Sequence, residues 1–351
     1  MPDLRYIYAS VARLVSNPPN PWDSVHAEWL GEPPEAKVEV FEEEARTVLA
    51  ENDSPDVGFR FSLNPYRGCF HGCAYCYARP SHQYLGFGAG TDFERKIVVK
   101  TNAPECLRRE LARPSWRGET IAFSGNTDCY QPLEAVYRLT RRCLDVCADF
   151  RNPVAVITKG SLVRRDAELL ARMSRDTAVS VTVSIAFADD RVARALEPGT
   201  GPPSQRFETV RMLSAAGVRT GVSIAPTIPG LNDSDVAELL GRAREAGARF
   251  AFQTLVRLPA EVLPVFEERL REAYPGRADK VLHAIEDVRN GKRNESAFGK
   301  RMTGIGPRWE AIASLFELEC RRLGLNAERE NEGRSGFRRP SRQASLFADS
   351  P

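Results

Sequence analysis

Cys69-Phe-His-Gly-Cys73-Ala-Tyr-Cys76 places three thiols within eight residues, spaced x3 and then x2. A loop with that spacing lets three thiolates converge on one face of a metal centre. Three thiolates hold three irons of a [4Fe–4S] cube and leave the fourth iron without a protein ligand. Such an open position is what substrate or cofactor chemistry requires, whereas a closed structural zinc site uses four ligands. His71 would complete a Cys3His zinc site, but the paired knuckles of zinc ribbons and fingers are missing from the segment. Unrelated buried cysteines are the remaining alternative. Flanking Gly68 and Gly72, in a loop that follows a strand, argue against it.

Working outward, Arg60–Leu63 predicts a short strand, and Asn64–Gly90, rich in Gly, Tyr and Cys, a long functional loop. Pro104–Ala112 predicts a helix with proline in its first turn. Short β-branched or aromatic runs at Thr120–Ser124, Val154–Thr158, Ala178–Ile185, Arg219–Ile224 and Phe250–Leu255 predict five further strands. Between them, Leu133–Phe150, Asp166–Arg175, Ser204–Ala216 and Asp235–Ala246 are helical in pattern. Gly217 and Gly247 stand where a helix C-terminus needs a left-handed residue. Six strands in repeating βα order imply an α/β fold with a parallel sheet and outer helices, either an open sheet or a partial barrel. Both collect ligands at the C-terminal ends of their strands.

Pro259–Tyr274, Ala278–Asn290 and Pro307–Leu323 continue as helices, and Phe298–Gly306 reads as a surface loop or lid. Before the first strand, five prolines between Pro18 and Pro34 break up the chain, with a helical segment expected over Pro34–Leu49. The chain thus divides into an N-terminal extension (1–60), a core (61–258), a C-terminal helical region (259–325) and a flexible basic tail (326–351).

The 351 residues, 42% hydrophobic and 27% charged, suffice for a large core and exclude a disordered or fibrous class. A net charge of +2 does not by itself indicate nucleic acid. Arg334, Arg338, Arg339 and Arg342 make the tail locally basic, which predicts a solvated segment. No apolar run approaches the roughly 18 residues of a membrane span, and Met1–Arg13 lacks the apolar core of a signal peptide. A cytoplasmic protein is expected, and its eight cysteines are then not a disulfide framework.

The CxxxCxYC pattern at the end of the first strand of a βα series resembles the signature of radical S-adenosylmethionine (SAM) enzymes. Asn64-Pro-Tyr-Arg-Gly-Cys69, Cys76-Tyr-Ala-Arg79 and Asn126-Thr-Asp-Cys-Tyr-Gln-Pro-Leu-Glu134 are similar to the branch that contains spore photoproduct lyase. The resemblance spans about residues 60–325. It implies a partial (β/α)6 barrel of the TIM type, a [4Fe–4S] cluster on Cys69, Cys73 and Cys76, and SAM chelated at the free iron. Reductive cleavage of SAM would release a 5′-deoxyadenosyl radical that takes a hydrogen atom from substrate, and a reductant protein would supply the electron.

The resemblance also assigns roles. Tyr75 takes the aromatic position beside cluster and adenine, and Tyr77 faces SAM or substrate. Lys159, after the third strand, resembles the partner of the SAM carboxylate, a contact suited to a point cation; its plain alternative is a strand-end lysine in solvent. Ser184 would meet the ribose. Glu197 and Arg206 bracket Pro198–Pro203, a region that supplies polar SAM contacts in the family and that otherwise reads as a solvated loop. Asp128 is placed in a loop aimed at the barrel mouth, while Glu134 is explained by the helix dipole. Cys129 stands where relatives more often have proline, a few residues from the cysteine that spore photoproduct lyase uses as hydrogen-atom donor, so it is the catalytic candidate. Asn232 or Asp233 would cap the helix after the fifth strand. Cys106, Cys143, Cys147 and Cys320 read as buried apolar thiols.

Gln343-Ala-Ser-Leu346-Phe347 resembles the pentapeptide by which bacterial DNA-repair proteins bind the replication sliding clamp. Gln343 would fill a polar pocket and Leu346-Phe347 an apolar one. Branch and tail together point to damaged DNA as substrate. The rivals are a radical SAM enzyme acting on protein, RNA or a small molecule, and a non-catalytic metal-binding protein that engages DNA or the clamp.

Overall fold

The computed structural model describes residues 38–327 and 335–340. The first half of the chain forms β1 (Glu39–Glu43), β2 (Leu49–Glu51), β3 (Phe61–Leu63), β4 (Tyr66–Arg67), α1 (Thr91–Arg95), β5 (Lys96–Lys100), α2 (Ala103–Ala112), β6 (Ile121–Phe123), α3 (Glu134–Tyr137), α4 (Leu139–Asp149), β7 (Val154–Thr158) and α5 (Ala167–Asp176). Then come β8 (Val179–Ser184), α6 (Asp190–Leu196), α7 (Pro203–Ala215), β9 (Arg219–Thr227), α8 (Val236–Glu245), β10 (Phe250–Leu255), α9 (Val262–Ala273), α10 (Ala278–Asp287) and α11 (Gly306–Arg322).

Strands β3, β6, β7, β8, β9 and β10 are parallel and lie side by side in chain order, with β2 antiparallel outside β3. A doubly wound sheet needs a reversal of strand order. Without one, right-handed crossovers put the helices on one side and the sheet curls around its other face. The architecture is therefore the partial barrel. Its margins, β10 and β2, do not pair with each other.

Register shows what each face carries. Leu63, Phe123, Val156, Val181, Val222 and Ala251 align on the helix side and are all buried in the main core. Each such aliphatic side chain contributes about 1.5–3 kcal/mol relative to exposure. The inner face carries Ser62, Ala122, Ile157, Thr182, Ser184, Ser223 and Phe252, mostly small or hydroxylic residues that leave room inside the curl.

The lateral gap between the margins is bridged by side chains. Gly299 N–H donates to Asp56 Oδ1 (2.7 Å), and Arg301 donates to Asp56 Oδ2 and to Ser54 Oγ (2.5 Å each). Leu255 N–H donates to Met302 O (3.1 Å), and Asn326 satisfies both backbone groups of Ala251 at 3.0 Å. The edge of β10 is thereby covered. The loop Phe298–Gly306, expected as a surface loop or lid, lies across this gap.

Three expectations are corrected. The described part of Pro34–Leu49 is not helical: β1 pairs in parallel with β5, which itself pairs with β4, so a partner strand remote in sequence overrides local pattern. The helix expected over Leu133–Phe150 divides at Arg138, which is left-handed at φ 55°. Helix α6 occupies a segment to which the sequence pattern assigned no element. The described part of the tail, residues 335–340, is docked, although Arg338 and Arg339 stay exposed as expected of a solvated segment. Phe337 stacks on Phe150 (6.3 Å), Arg339 donates to the Trp116 carbonyl (2.8 Å), and Arg338 N–H to the Phe150 carbonyl (2.9 Å), all at the base of the barrel. Gln343, Leu346 and Phe347 lie outside the described residues. Among the described residues, no helix is long and apolar enough to cross a membrane.

Candidate active site

The three-thiol loop leaves β3 at the C-terminal end of the sheet and is held from both sides. From β6, Gln131 accepts from Phe70 N–H (3.2 Å) and donates to Gly68 O (3.0 Å), while Glu134 accepts from the Tyr66 hydroxyl (2.6 Å). Asn64 donates to Thr127 Oγ1 (2.8 Å) and accepts from Tyr66 N–H (2.9 Å). From below, the buried Arg79 donates twice to Cys73 O (2.9 and 3.1 Å) and pairs with Glu94 (2.5 Å). From the β8 side, Ala74 N–H donates to Leu196 O (2.8 Å) and Gly199 N–H to His71 O (3.0 Å). A Cβ at Gly199 would lie 1.9 Å from the Phe70 carbonyl oxygen, so only glycine fits that approach.

Cys69, Cys73 and Cys76 are free thiols, the first two buried. Burial pushes all three pKa values up, Cys73 to about 12. Cys69 is raised further by Asp128 and by the other two thiols, so the three sulfurs sit close enough to sense one another. Lys159 and Arg206 draw Cys73 down, and Arg79 draws Cys76 down. Burial outweighs these cations, so a metal would have to displace the thiol protons on binding. Among the described residues, no three His, Cys, Asp or Glu side chains close on a single ion. In a cube each iron takes its own thiolate, so the sulfurs need not meet at a point. Three thiols on one loop are the donor set that would hold an iron–sulfur cluster. His71 is buried against Asp128 (Nδ1 to Oδ2 3.4 Å), and burial lowers its pKa to about 4.

Across the mouth, the structure joins Tyr75, Lys159, Ser184 and Arg206 into one assembly. The Tyr75 hydroxyl donates to Glu197, and Arg206 pairs with the other Glu197 oxygen. Arg206 also donates to Gly201 O (2.8 Å), to Thr200 Oγ1 and to Ser184 O (3.1 Å). The Lys159 ammonium lies 5.7 Å from the Tyr75 ring centroid. Glu197 and Arg206 are 0% and 1% exposed, so the expectation of a solvated loop at both is overturned. Burial raises the Glu197 carboxyl pKa, and Arg206 opposes the shift.

Other expected residues have different surroundings. Asp128 accepts from Tyr130 N–H (2.8 Å), the Thr158 hydroxyl (2.6 Å) and Lys159 N–H (2.7 Å) as well as facing His71, so its oxygens are engaged within the chain. Cys129 is 0% exposed in the main core, and burial raises its thiol pKa. A hydrogen-atom donor must touch the substrate carbon, and Cys129 has no surface for that contact here. Tyr77 is 47% exposed, with its hydroxyl on Gly125 O (2.6 Å). Asn232 latches Ala186 O (2.6 Å) and Ile228 N–H (2.6 Å) rather than capping α8. Cys106, Cys143, Cys147 and Cys320 are buried as expected. Neither the Arg79–Glu94 tie nor the Glu197–Arg206 pair has a signal in the sequence, because their partners are set by packing, not spacing.

A sequence model of the Radical SAM superfamily matches residues 63–243, just over half of the chain. An uncharacterised protein of Mycobacterium tuberculosis is 45% identical over 192 residues, 54% of this chain and 56% of its own length. The chain thus spans little more than half the length of that curated relative. A protein of Pseudomonas phage M6 named radical SAM Nalpha-GlyT isomerase is 26% identical over 213 residues, 60% of this chain and 42% of its own. Among solved structures, spore photoproduct lyase complexed with dinucleoside spore photoproduct has a TM-score of 0.58 at 18% identity, covering 85% of this chain and 86% of that one. That likeness is one of fold. With the partial barrel, the thiol loop and the match over residues 63–243 in agreement, this chain belongs to the radical SAM superfamily of enzymes.

Proposed function

We propose that the chain holds a [4Fe–4S] cluster on Cys69, Cys73 and Cys76, cleaves SAM reductively, and acts on a damaged or modified base in DNA. When bound, cluster and SAM together supply a 5′-deoxyadenosyl radical able to take a hydrogen atom from substrate, with the electron coming from a reductant protein. The chain's own residues do the rest. The three thiolates hold the metal, and Arg79 and Lys159 offset their charge. Lys159 offers its ammonium to the SAM carboxylate. The Glu197–Arg206 pair fixes the Tyr75 ring at the adenine position and keeps the end of β8, with Ser184, in place for the ribose. Asp128 positions Lys159 through its backbone N–H. Tyr77 presents an exposed ring to the substrate side.

The observation that carries this reading is the gathering of three reduced thiols opposite Lys159 and Tyr75, above an inner face of small residues. The choice of DNA draws support from the fold shared with spore photoproduct lyase, whose solved complex holds a dinucleoside spore photoproduct. We also propose a cytoplasmic setting and a tail that engages the sliding clamp through Gln343, Leu346 and Phe347; a synthetic tail peptide that shows no binding to purified clamp would remove the latter. The test of the enzyme is anaerobic reconstitution with iron and sulfide, then reduction with dithionite in the presence of SAM. Formation of 5′-deoxyadenosine, increased by ultraviolet-damaged DNA, supports the proposal. Product formation that DNA does not change transfers the substrate to protein, RNA or a small molecule. A zinc-loaded protein that forms none leaves a non-catalytic metal-binding protein.

A further inference from the structure

The lateral gap of the barrel carries two arginines: Arg301 is paired with Asp56, and Arg257 has no carboxylate partner among the described residues. Arg257 follows β10, and its guanidinium lies over the Tyr77 ring at 5.4 Å, which brings the loops after β10 and β3 together across the open side. Its Nε is buried without a hydrogen-bond partner among the described residues. Burial and the like charge of Arg301 push its pKa down, and Asp56 opposes them weakly. Asp56 is already taken by Arg301 and by Gly299 N–H. Behind them, Arg289 donates to Val256 O (2.7 Å) and Arg301 O (3.1 Å), and burial lowers its pKa to about 10. On the outer side, Arg301 lies 4.4 Å from the ring centroid of Phe298, which is 59% exposed. The gap therefore presents the series Phe298, Arg301, Arg257, Tyr77: two guanidinium groups between two exposed rings.

A buried donor without an acceptor is costly to leave, and a planar guanidinium with a free edge suits a singly charged, forked oxyanion. Exposed rings on either side suit bases, which stack on any aromatic face. Resting on the DNA reading above, we propose that Arg257, with Arg301 beside it, binds a backbone phosphodiester of the substrate strand, and that Tyr77 and Phe298 receive the adjoining bases. The strand then enters at the gap between β10 and β2 with its target base turned into the barrel. A carboxylate-rich protein substrate would lack the alternation of anion and flat ring that the gap displays.

The experiment uses the full chain with its cluster reconstituted and a fluorescein-labelled thymidine-rich single-stranded oligonucleotide, with binding followed by anisotropy across a salt series. Arg257→Gln is expected to weaken binding about tenfold and to reduce the slope of log affinity against log salt by about one. Iron content and absorbance spectrum report whether the variant keeps its cluster. A second measurement leaves the protein untouched: an oligonucleotide with neutral methylphosphonate linkages should bind the wild type as weakly as the natural strand binds R257Q, and R257Q should not distinguish the two. Equal affinity of wild type and R257Q for the natural strand overturns the site, as does tighter Arg257-dependent binding of polyglutamate than of DNA. Wild-type protein that forms 5′-deoxyadenosine but binds no oligonucleotide overturns the phosphate site while sparing the enzyme. Protein that never forms it fails at the enzyme reading itself.

Discussion

Changing Glu197 to glutamine removes one charge from a pair that has almost no access to water. Glu197 and Arg206 have side chains 0% and 1% exposed, and Arg206 spends its other donors on Gly201 O, Ser184 O and Thr200. Glutamine preserves shape but leaves a buried guanidinium without a counter-charge, a loss of about 3–5 kcal/mol. For a chain of this size that corresponds to a fall in melting temperature of about 4–7 °C. The assay is anaerobic thermal unfolding by far-ultraviolet circular dichroism. The double variant Glu197→Leu/Arg206→Met removes both charges and should lie within about 2 kcal/mol of the wild type. The double variant should nevertheless form less 5′-deoxyadenosine, because Tyr75 loses its acceptor there, whereas glutamine keeps a carbonyl oxygen for it. A single variant that loses less than about 1 kcal/mol would show that the pair is not desolvated in the way described.

Alanine at Cys69, Cys73 or Cys76 should lower iron content and cut 5′-deoxyadenosine formation more than about 100-fold, beyond what losing an outer partner costs; full activity in any of the three would remove that residue from the ligand set. Gly199→Ala should lose about 1–3 kcal/mol and retain iron poorly, since its new methyl meets the Phe70 carbonyl. Gly201→Ala, whose methyl would meet only the flexible end of Gln205, is the control, and equal iron retention by the two variants would refute the steric argument. Cys129→Ala should leave the product distribution unchanged and lower stability by about 1 kcal/mol, the cost of a small cavity; an altered product distribution would restore it as a hydrogen-atom donor.

Between sequence and fold, most was decided locally. The strands Val154–Thr158 and Phe250–Leu255 appear within the limits predicted, because a buried parallel strand is a continuous β-branched or aromatic run that turn residues cut off. Gly217 and Gly247 end their helices at φ 85° and 95°, a conformation that glycine adopts without strain. The thiol loop is legible for a similar reason: three ligands within eight residues are close in space whatever the rest of the chain does. Strands β1 and β5 were not legible, since each exists through its partner, and the pairing joins segments more than fifty residues apart.

The sequence by itself determined the βα order, the three-thiol loop and the superfamily. Only the tertiary structure decided that the sheet curls instead of winding both ways, because that depends on which strands are neighbours. It also decided that Glu197 and Arg206 are buried partners and that Cys129 is sealed in the core. It placed Arg257 over Tyr77 across the gap. A side chain's charge and reactivity are written in its own residue, but its solvent access and its partner come from segments that meet only when the chain has folded.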